Sequence, residues 1–259
     1  AWGACPALDL SYGLASRTGG ALAAAAPSFT ALSPALGLDY FGVFDGGRSD
    51  SDGACCRHLK ERLHGAVAQQ VERELLAEAP RFLIQGGVEG WWRTTMAEAF
   101  RAVDQELVGV DVGARALVAQ VLKDYIVLAN RGVSRAVLCR GGVAVQLTAS
   151  EHYRGLEVTA VARDPRDEFL ILATAGLWNH VSPAAACALV AQRLRATARA
   201  TRPTTPWLAR VGSRGTPAVL AEELAEHAGS EGEGTVSVVV VLFRDFWADP
   251  TAAAPHRNR

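Results

Sequence analysis

Between Ala114 and Leu147 four short runs rich in β-formers follow one another: ALVAQVL, YIVLAN, SRAVLC and VAVQLT. Gly141-Gly142 separates the last two, the signature of a tight hairpin. Phe169–Thr174 reads FLILAT, apolar almost throughout, as a strand covered on both faces would be, and Val236–Phe243 is a further strand. A strand over Tyr40–Asp45 precedes them all. Around these strands the helical period appears in blocks. Leu59, Leu63, Val67, Val71 and Leu75 recur every fourth residue, and Trp92, Met96, Phe100, Val103 and Leu107 form a second stripe. Gly86-Gly87 marks a loop between the two. Ser182-Pro183 and Thr216-Pro217 each read as a cap followed by proline in the first turn. The spacing predicts helices over 54–78, 91–107, 183–200 and 217–228. Strands and helices in no βαβ rhythm give an α+β fold, two antiparallel β-sheets packed as a sandwich with helices on both outer faces.

Bulk properties exclude several classes. A chain of 259 residues with 49% apolar content can bury a full-sized core as one domain, here expected over 1–247, with 248–259 as a mobile C-terminal tail. A formal net charge of −1 with scattered arginine and glutamate gives no footprint for nucleic acid. No apolar run approaches the roughly 20 residues of a spanning helix, so no membrane role is expected. The alanines of 21–26 form a short stretch without the basic start of a secretion signal. Five cysteines, Cys5, Cys55, Cys56, Cys139 and Cys187, show no framework spacing, which favours reduced thiols inside the cell, in cytoplasm or nucleus. Cys55-Cys56 with His58 makes a poor soft-metal site, because adjacent residues of a helix point about 100° apart. Arg195–Gly215 reads as a surface excursion.

The strand Tyr40-Phe41-Gly42-Val43-Phe44 ends in Asp45-Gly46, which can turn a carboxylate and a bare carbonyl toward a cation. The run YFGVFDG resembles the F-G-V-F-D-G-H-G segment of the protein phosphatase 2C family, the metal-dependent Ser/Thr phosphatases. ILATAGLWNHVS (Ile171–Ser182) is similar to that family's I-L-A-S-D-G-L-W-D-V-V-S. NRGVSRAVLCRGGVAVQLT (Asn130–Thr148) resembles its N-V-G-D-S-R-A-V-L-C-R-N-G-K-A-V-Q-L-T. SYGLASRTGGA near the start and GSEGEGTVSVVVVLF near the end resemble its two flanking segments, in the flavour of the plant branch. The resemblance implies the sandwich fold, with two Mg²⁺ or Mn²⁺ ions in a cleft at one end, bridged by the Asp of D-G and ligated by the Gly carbonyl.

The chain departs from that pattern where the chemistry sits. The family's Asp before G-L-W is Ala175, the Asp of G-D-S-R-A-V is Val133, and the terminal Asp-Asn falls on Gly234-Thr235 beside Glu233. The register of SYGLAS puts the family's phosphate-binding Arg on Ala21 and its Glu-Asp pair on Ala25 and Ala26. The His of D-G-H-G is Gly47, and the G-S-T-A segment reads Gly113-Ala114-Arg115-Ala116. The flap and the A-V-S-R-A-F-G-D run have no counterpart between EHYRG and DEFLILAT.

These departures point to a pseudophosphatase that works through a protein partner, a kinase or phosphoprotein. No catalytic residue and no cofactor are expected, with Asp45 and Gly46 as a residual, weak cation site. Arg115, Glu233, Asp50 and Asp52 are candidate charge substitutes, with Arg115 placed to pair Asp45, and Arg17 a further stand-in for the phosphate Arg. The alternatives are a divergent but active Mg²⁺- or Mn²⁺-dependent protein serine/threonine phosphatase built from Asp45, Glu233, Asp50 and Asp52, and a degenerate copy with no retained role.

Overall fold

A computed structural model describes residues 2–5, 10–17, 20–26, 38–46, 53–76, 87–107, 114–149, 155–200, 216–229 and 235–243 of the chain. Its strands are β1 (Trp2–Cys5), β2 (Leu10–Arg17), β3 (Ala21–Ala26), β4 (Asp39–Asp45), β5 (Arg115–Val121) and β6 (Tyr125–Arg131). β7 (Arg135–Arg140), β8 (Val143–Gln146), β9 (Glu157–Ala162), β10 (Asp167–Ala173) and β11 (Val236–Phe243) complete them. The helices are α1 (Ala54–Leu75), α2 (Gly87–Glu106), α3 (Ala175–Trp178), α4 (Pro183–Ala200) and α5 (Thr216–Gly229). Two antiparallel sheets result, one ordered β1-β2-β11-β10-β7-β8 and the other β3-β4-β5-β6-β9.

Strand alternation sorts the side chains into three apolar layers. Between the sheets, Phe41, Val43, Leu117 and Ile126 of one meet Leu138, Leu172, Val239 and Val241 of the other. Outside the smaller sheet, Tyr40, Phe44, Val118 and Val127 pack under the α1 stripe of Leu59, Leu63, Val67 and Val71 and the α2 stripe of Trp92, Met96 and Phe100. Outside the larger sheet, Val137, Ile171 and Val240 lie under α3, α4 and α5. α2 is also tied down by charge: Arg131 of β6 donates to both carboxylate oxygens of Asp104 at 3.0 and 2.7 Å and stacks 4.9 Å from the Phe100 ring centroid. Cys55 and Cys56 are buried in the α1 layer, and His58 Nε2 instead sits 3.0 Å from Glu106 Oε2. Among the described residues no helix is long and apolar enough to cross a membrane.

The expected strands are present, with ends shifted by one or two residues. Gly141 and Gly142 turn the β7–β8 hairpin at φ +59° and +78°, the paired left-handed geometry of a type I′ turn. Ser182 Oγ accepts the Ala185 amide at 3.2 Å, which caps α4. Trp178 is buried, its indole N–H donating to the Ala173 carbonyl at 2.9 Å. Three expectations are corrected. α2 begins at Gly87 rather than 91, because Gly87 itself takes φ +65° and opens the helix. α1 ends at Leu75, where the Leu76 amide closes the last turn on Glu72 O; residues 77 and 78 lie outside the described set. β1, β2, β3 and β9 have no place in the sequence reading. β3 is ALAAAA, without a β-branched or aromatic residue, and it is a strand because β4 pairs with it over six positions. Residues 195–200, read from sequence as the start of a surface excursion, instead continue α4 to Ala200; residues 201–215 and the tail after Trp247 lie outside the described set.

Complete burial pushes the Tyr40 phenol far above its usual value, because the interior penalises the phenolate. The native chain therefore keeps a proton that the unfolded chain releases above about pH 10. Stability is expected to fall as pH rises through that point. In an alkaline absorbance titration, one of the four tyrosines should ionise only as the fold is lost. Four tyrosines titrating together in a protein still folded by circular dichroism would contradict this.

Candidate functional site

One end of the sandwich gathers the C-termini of β2, β4, β6 and β10 and the N-termini of β3, β5, β7 and β11. Alternation carries the inter-sheet face of β4 from Phe41 and Val43 to Asp45, and that of β5 from Ala119 and Leu117 to Arg115. Register places Asp45 directly opposite Arg115 on one side and Ala21 on the other. The Arg115 Nη1 lies 3.7 Å from Asp45 Oδ2; the Arg115 side chain is 42% exposed and that of Asp45 11%. The arginine stem runs across Gly132, where a Cβ would stand 2.8 Å from both Cβ and Cγ of Arg115. Gly132 adopts φ +131°, so glycine is required there for backbone and for space.

The second sheet reaches the same carboxylate. Thr235, just ahead of β11, directs its hydroxyl to Asp45 Oδ1 at 3.4 Å. Thr174, completely buried between β10 and α3, donates its hydroxyl to Thr235 O at 3.1 Å and accepts the Ser237 amide at 3.0 Å. Ser237 and Ser16 share a hydroxyl hydrogen bond of 2.7 Å. A ladder of hydrogen bonds, from the Ser16 and Ser237 hydroxyls through the Ser237 amide, the Thr174 hydroxyl and the Thr235 carbonyl and hydroxyl, thus crosses from β2 to β4. Gly176 follows Ala175 at the start of α3, and a Cβ there would lie 2.5 Å from Thr235 O, so the helix packs tightly onto this ladder. Gly46 donates its amide to Gly20 O at 3.4 Å, and a Cβ added to Gly53, at the start of α1, would stand 3.9 Å from the Gly20 Cα.

Of the residues singled out from sequence, Asp45, Gly46 and Arg115 come together here. Asp50, Asp52 and Glu233 lie outside the described residues. Arg17 turns to α5, with Nη2 3.0 Å from Glu226 Oε1. Ala25 and Ala26 stand opposite Phe41 and Tyr40, four and five residues from Asp45's neighbour Ala21. At a rise of about 3.3 Å per residue that is roughly 13–17 Å away. The register thus brings Ala21, not Ala25 or Ala26, beside Asp45. Glu157 shares the inter-sheet face but sits three strands away across β5 and β6, roughly 14 Å at the usual spacing, and its carboxylate accepts the Ala149 amide at 3.2 Å. Among the described residues no three His, Cys, Asp or Glu side chains are grouped to hold a metal ion. Thr174 and Gly132 stand inside motif runs read from the sequence, but their roles appear only when Thr235 and Arg115 are placed against them.

Comparison with known proteins places this geometry in context. The family model described as Protein phosphatase 2C matches residues 24–153 and 157–235, two blocks that break between β8 and β9. A rice (Oryza sativa subsp. japonica) relative, "Probable protein phosphatase 2C 8", is 33% identical over 277 residues, covering 83% of this chain and 64% of that protein. That span exceeds the 259 residues present here, so the relative carries stretches without a counterpart in this chain. A second rice relative, "Probable protein phosphatase 2C 68", is 31% identical over 61% of this chain and 58% of its own length, and the Arabidopsis thaliana "Protein phosphatase 2C 56" is 28% identical over 63% and 47%. The chain thus spans between about half and two-thirds of the curated relatives it matches. Among solved structures, a serine-threonine phosphatase 2C from Toxoplasma gondii superposes with a TM-score of 0.64 at 16% identity, covering 91% of this chain and 95% of its own. A C. elegans sex determining protein superposes at 0.63 and 14% identity, over 91% and 66%. Both show a shared fold.

Proposed function

The chain belongs to the protein phosphatase 2C family, and we propose that it acts within that family by binding, as a pseudophosphatase without catalytic cations. The family is Mg²⁺- or Mn²⁺-dependent, and the observation that carries the reading is the set of side chains around Asp45. Its two strand neighbours are Ala21 and Arg115, one ending in carbon and the other in a fixed positive charge. Ala175 and Val133, on which the family's further carboxylates fall, are also hydrocarbon. A Mg²⁺ ion demands near-octahedral oxygen ligation and dehydrates reluctantly. One carboxylate already facing a guanidinium, with a single backbone carbonyl beside it, does not fit that demand.

Arg115 supports the same reading from the opposite side. A guanidinium next to Asp45 neutralises the charge that a cation neutralises in the family, so the fold can close without one. The partner is a protein segment, from a kinase or phosphoprotein, met inside the cell in cytoplasm or nucleus.

The deciding measurement is turnover of a generic phosphate monoester with and without Mn²⁺. No Mn²⁺-dependent turnover above a heat-inactivated control is expected. Melting should be insensitive to chelator and move by less than about 2 °C in millimolar Mg²⁺, since a weakly held ligand stabilises little by mass action. Mn²⁺-dependent turnover lost in Asp45→Ala would establish the divergent active phosphatase instead, and a large chelator-induced fall in melting temperature would mean that a metal site has been rebuilt from other residues.

A further inference from the structure

We propose that Cys139 of β7 and Cys187 of α4 form a redox pair, which hydrogen peroxide closes to a disulfide that fixes α4 to the rim of the larger sheet. The pair lies in the layer outside that sheet, whereas Asp45 stands on the inter-sheet face, so the inference is independent of the function proposed above. Both cysteines are buried in one apolar cluster, and both are free thiols. They meet across the helix–sheet contact, where the single Cys139 S–H faces two acceptors: the Cys187 sulfur and, at 3.5 Å, Glu168 Oε2 of β10. A bridge needs Cα atoms within about 7 Å of each other. α4 turns Ala186 and Ala191 toward the sheet beside Cys187, and these short side chains let its backbone come close.

A buried thiol is ordinarily inert, and what sets this pair apart is its place near an edge. Cys139 stands opposite Ala144 of β8, the last strand of its sheet, and Ala144 is only half-buried. Glu168 is half-buried too, so solvent reaches the carboxylate that the Cys139 proton faces. A molecule as small as a peroxide can take that approach. Donation to Cys187 pushes the Cys139 thiol well above its ordinary value, burial adding to the effect, and the same bond holds the Cys187 thiol below its own. Cys187 is therefore the attacking sulfur. Its thiolate takes one peroxide oxygen, the O–O bond breaks, and the departing hydroxide becomes water with the proton that Cys187 gave up. The Cys139 proton then passes to Glu168, the Cys139 sulfur attacks the Cys187 sulfenic acid, and the S–O bond breaks. The hydroxide released recovers that proton from Glu168 as a second water. Two thiols lose two electrons in all, and one peroxide becomes two waters; a dithiol reductant restores the pair. α3 leads into α4, with the Val181 amide on Leu177 O at 2.9 Å, and Gly176 of α3 packs on Thr235 O. The bridge thus restrains the helices that back Thr235.

The test treats the full chain with hydrogen peroxide, blocks the remaining thiols in denaturant and maps the peptides by mass. One disulfide, Cys139 to Cys187, is expected, with two of the five thiols lost and both recovered in dithiothreitol. Melting should rise by about 5 °C or more on oxidation, because the bridge closes a long loop of the unfolded chain. Cys139→Ser and Cys187→Ser should each abolish that rise. Dimedone should trap a sulfenic acid on Cys187 in Cys139→Ser, and none on Cys139 in Cys187→Ser. Mapping of the wild-type chain needs no variant to fold, and it decides the matter. Thiols lost only at other cysteines, or a Cys187 that runs on to sulfinic acid without a bridge, overturn the proposal. So do five intact thiols after exposure to peroxide that oxidises the urea-unfolded chain, and so does the same bridge formed in equal yield by that unfolded chain.

Discussion

Gly13→Ala is expected to cost about 3 kcal/mol or more of folding stability, and Gly13→Val to prevent recovery of native protein. Gly13 lies in β2, opposite Val240 of β11, on the face covered by α5. A Cβ built there would stand 2.1 Å from the Pro217 carbonyl carbon, 2.2 Å from its oxygen and 2.2 Å from the Ala218 amide nitrogen. These are backbone atoms of the first turn of α5, and no rotamer change relieves the clash. The helix itself must lift, and Leu220, Ala221 and Leu224 would leave the layer they share with Val238 and Val240. Urea unfolding monitored by circular dichroism measures the cost. An alanine variant within about 1 kcal/mol of the parent would mean that α5 does not approach β2 so closely.

Phe41→Ala should lose about 3–5 kcal/mol, the range for emptying a large aromatic from a tight core. Phe41 is fully buried between the sheets, and its ring meets Tyr12 of β2 edge-on at a centroid distance of 5.4 Å. The residue therefore couples β4, which carries Asp45, to the other sheet. Total stabilities of about 5–15 kcal/mol make this a large fraction of the fold. The midpoint of urea unfolding should fall with little change in slope. A shift below about 1 kcal/mol would show that the two sheets are not packed through this ring.

These two residues also mark where sequence reasoning succeeds and where it stops. Phe41 sits in an apolar run that announces a buried strand. Gly13 in SYGLAS carries no sign that α5, some two hundred residues later, will rest on it.

The sequence by itself determined most of the strands and helices that surround the site, because alternation, fourfold stripes, the Gly141-Gly142 turn and the Ser182-Pro183 cap are local signals. Asp45-Gly46 at the end of a β run, and the hydrocarbon residues Ala175 and Val133, were likewise legible from the motifs in which they stand. β3 was not, since six residues of which five are alanine have little preference of their own and become a strand through pairing with β4. Only the tertiary structure decided which alanine faces Asp45. The β3–β4 register selects Ala21 and carries Ala25 and Ala26 a helical turn's worth of residues away. Stacking of the two sheets brings Thr235, 190 positions distant, to within 3.4 Å of Asp45. The physical reason is that propensity acts on neighbours along the chain, whereas register and sheet stacking are chosen by the burial of whole apolar faces.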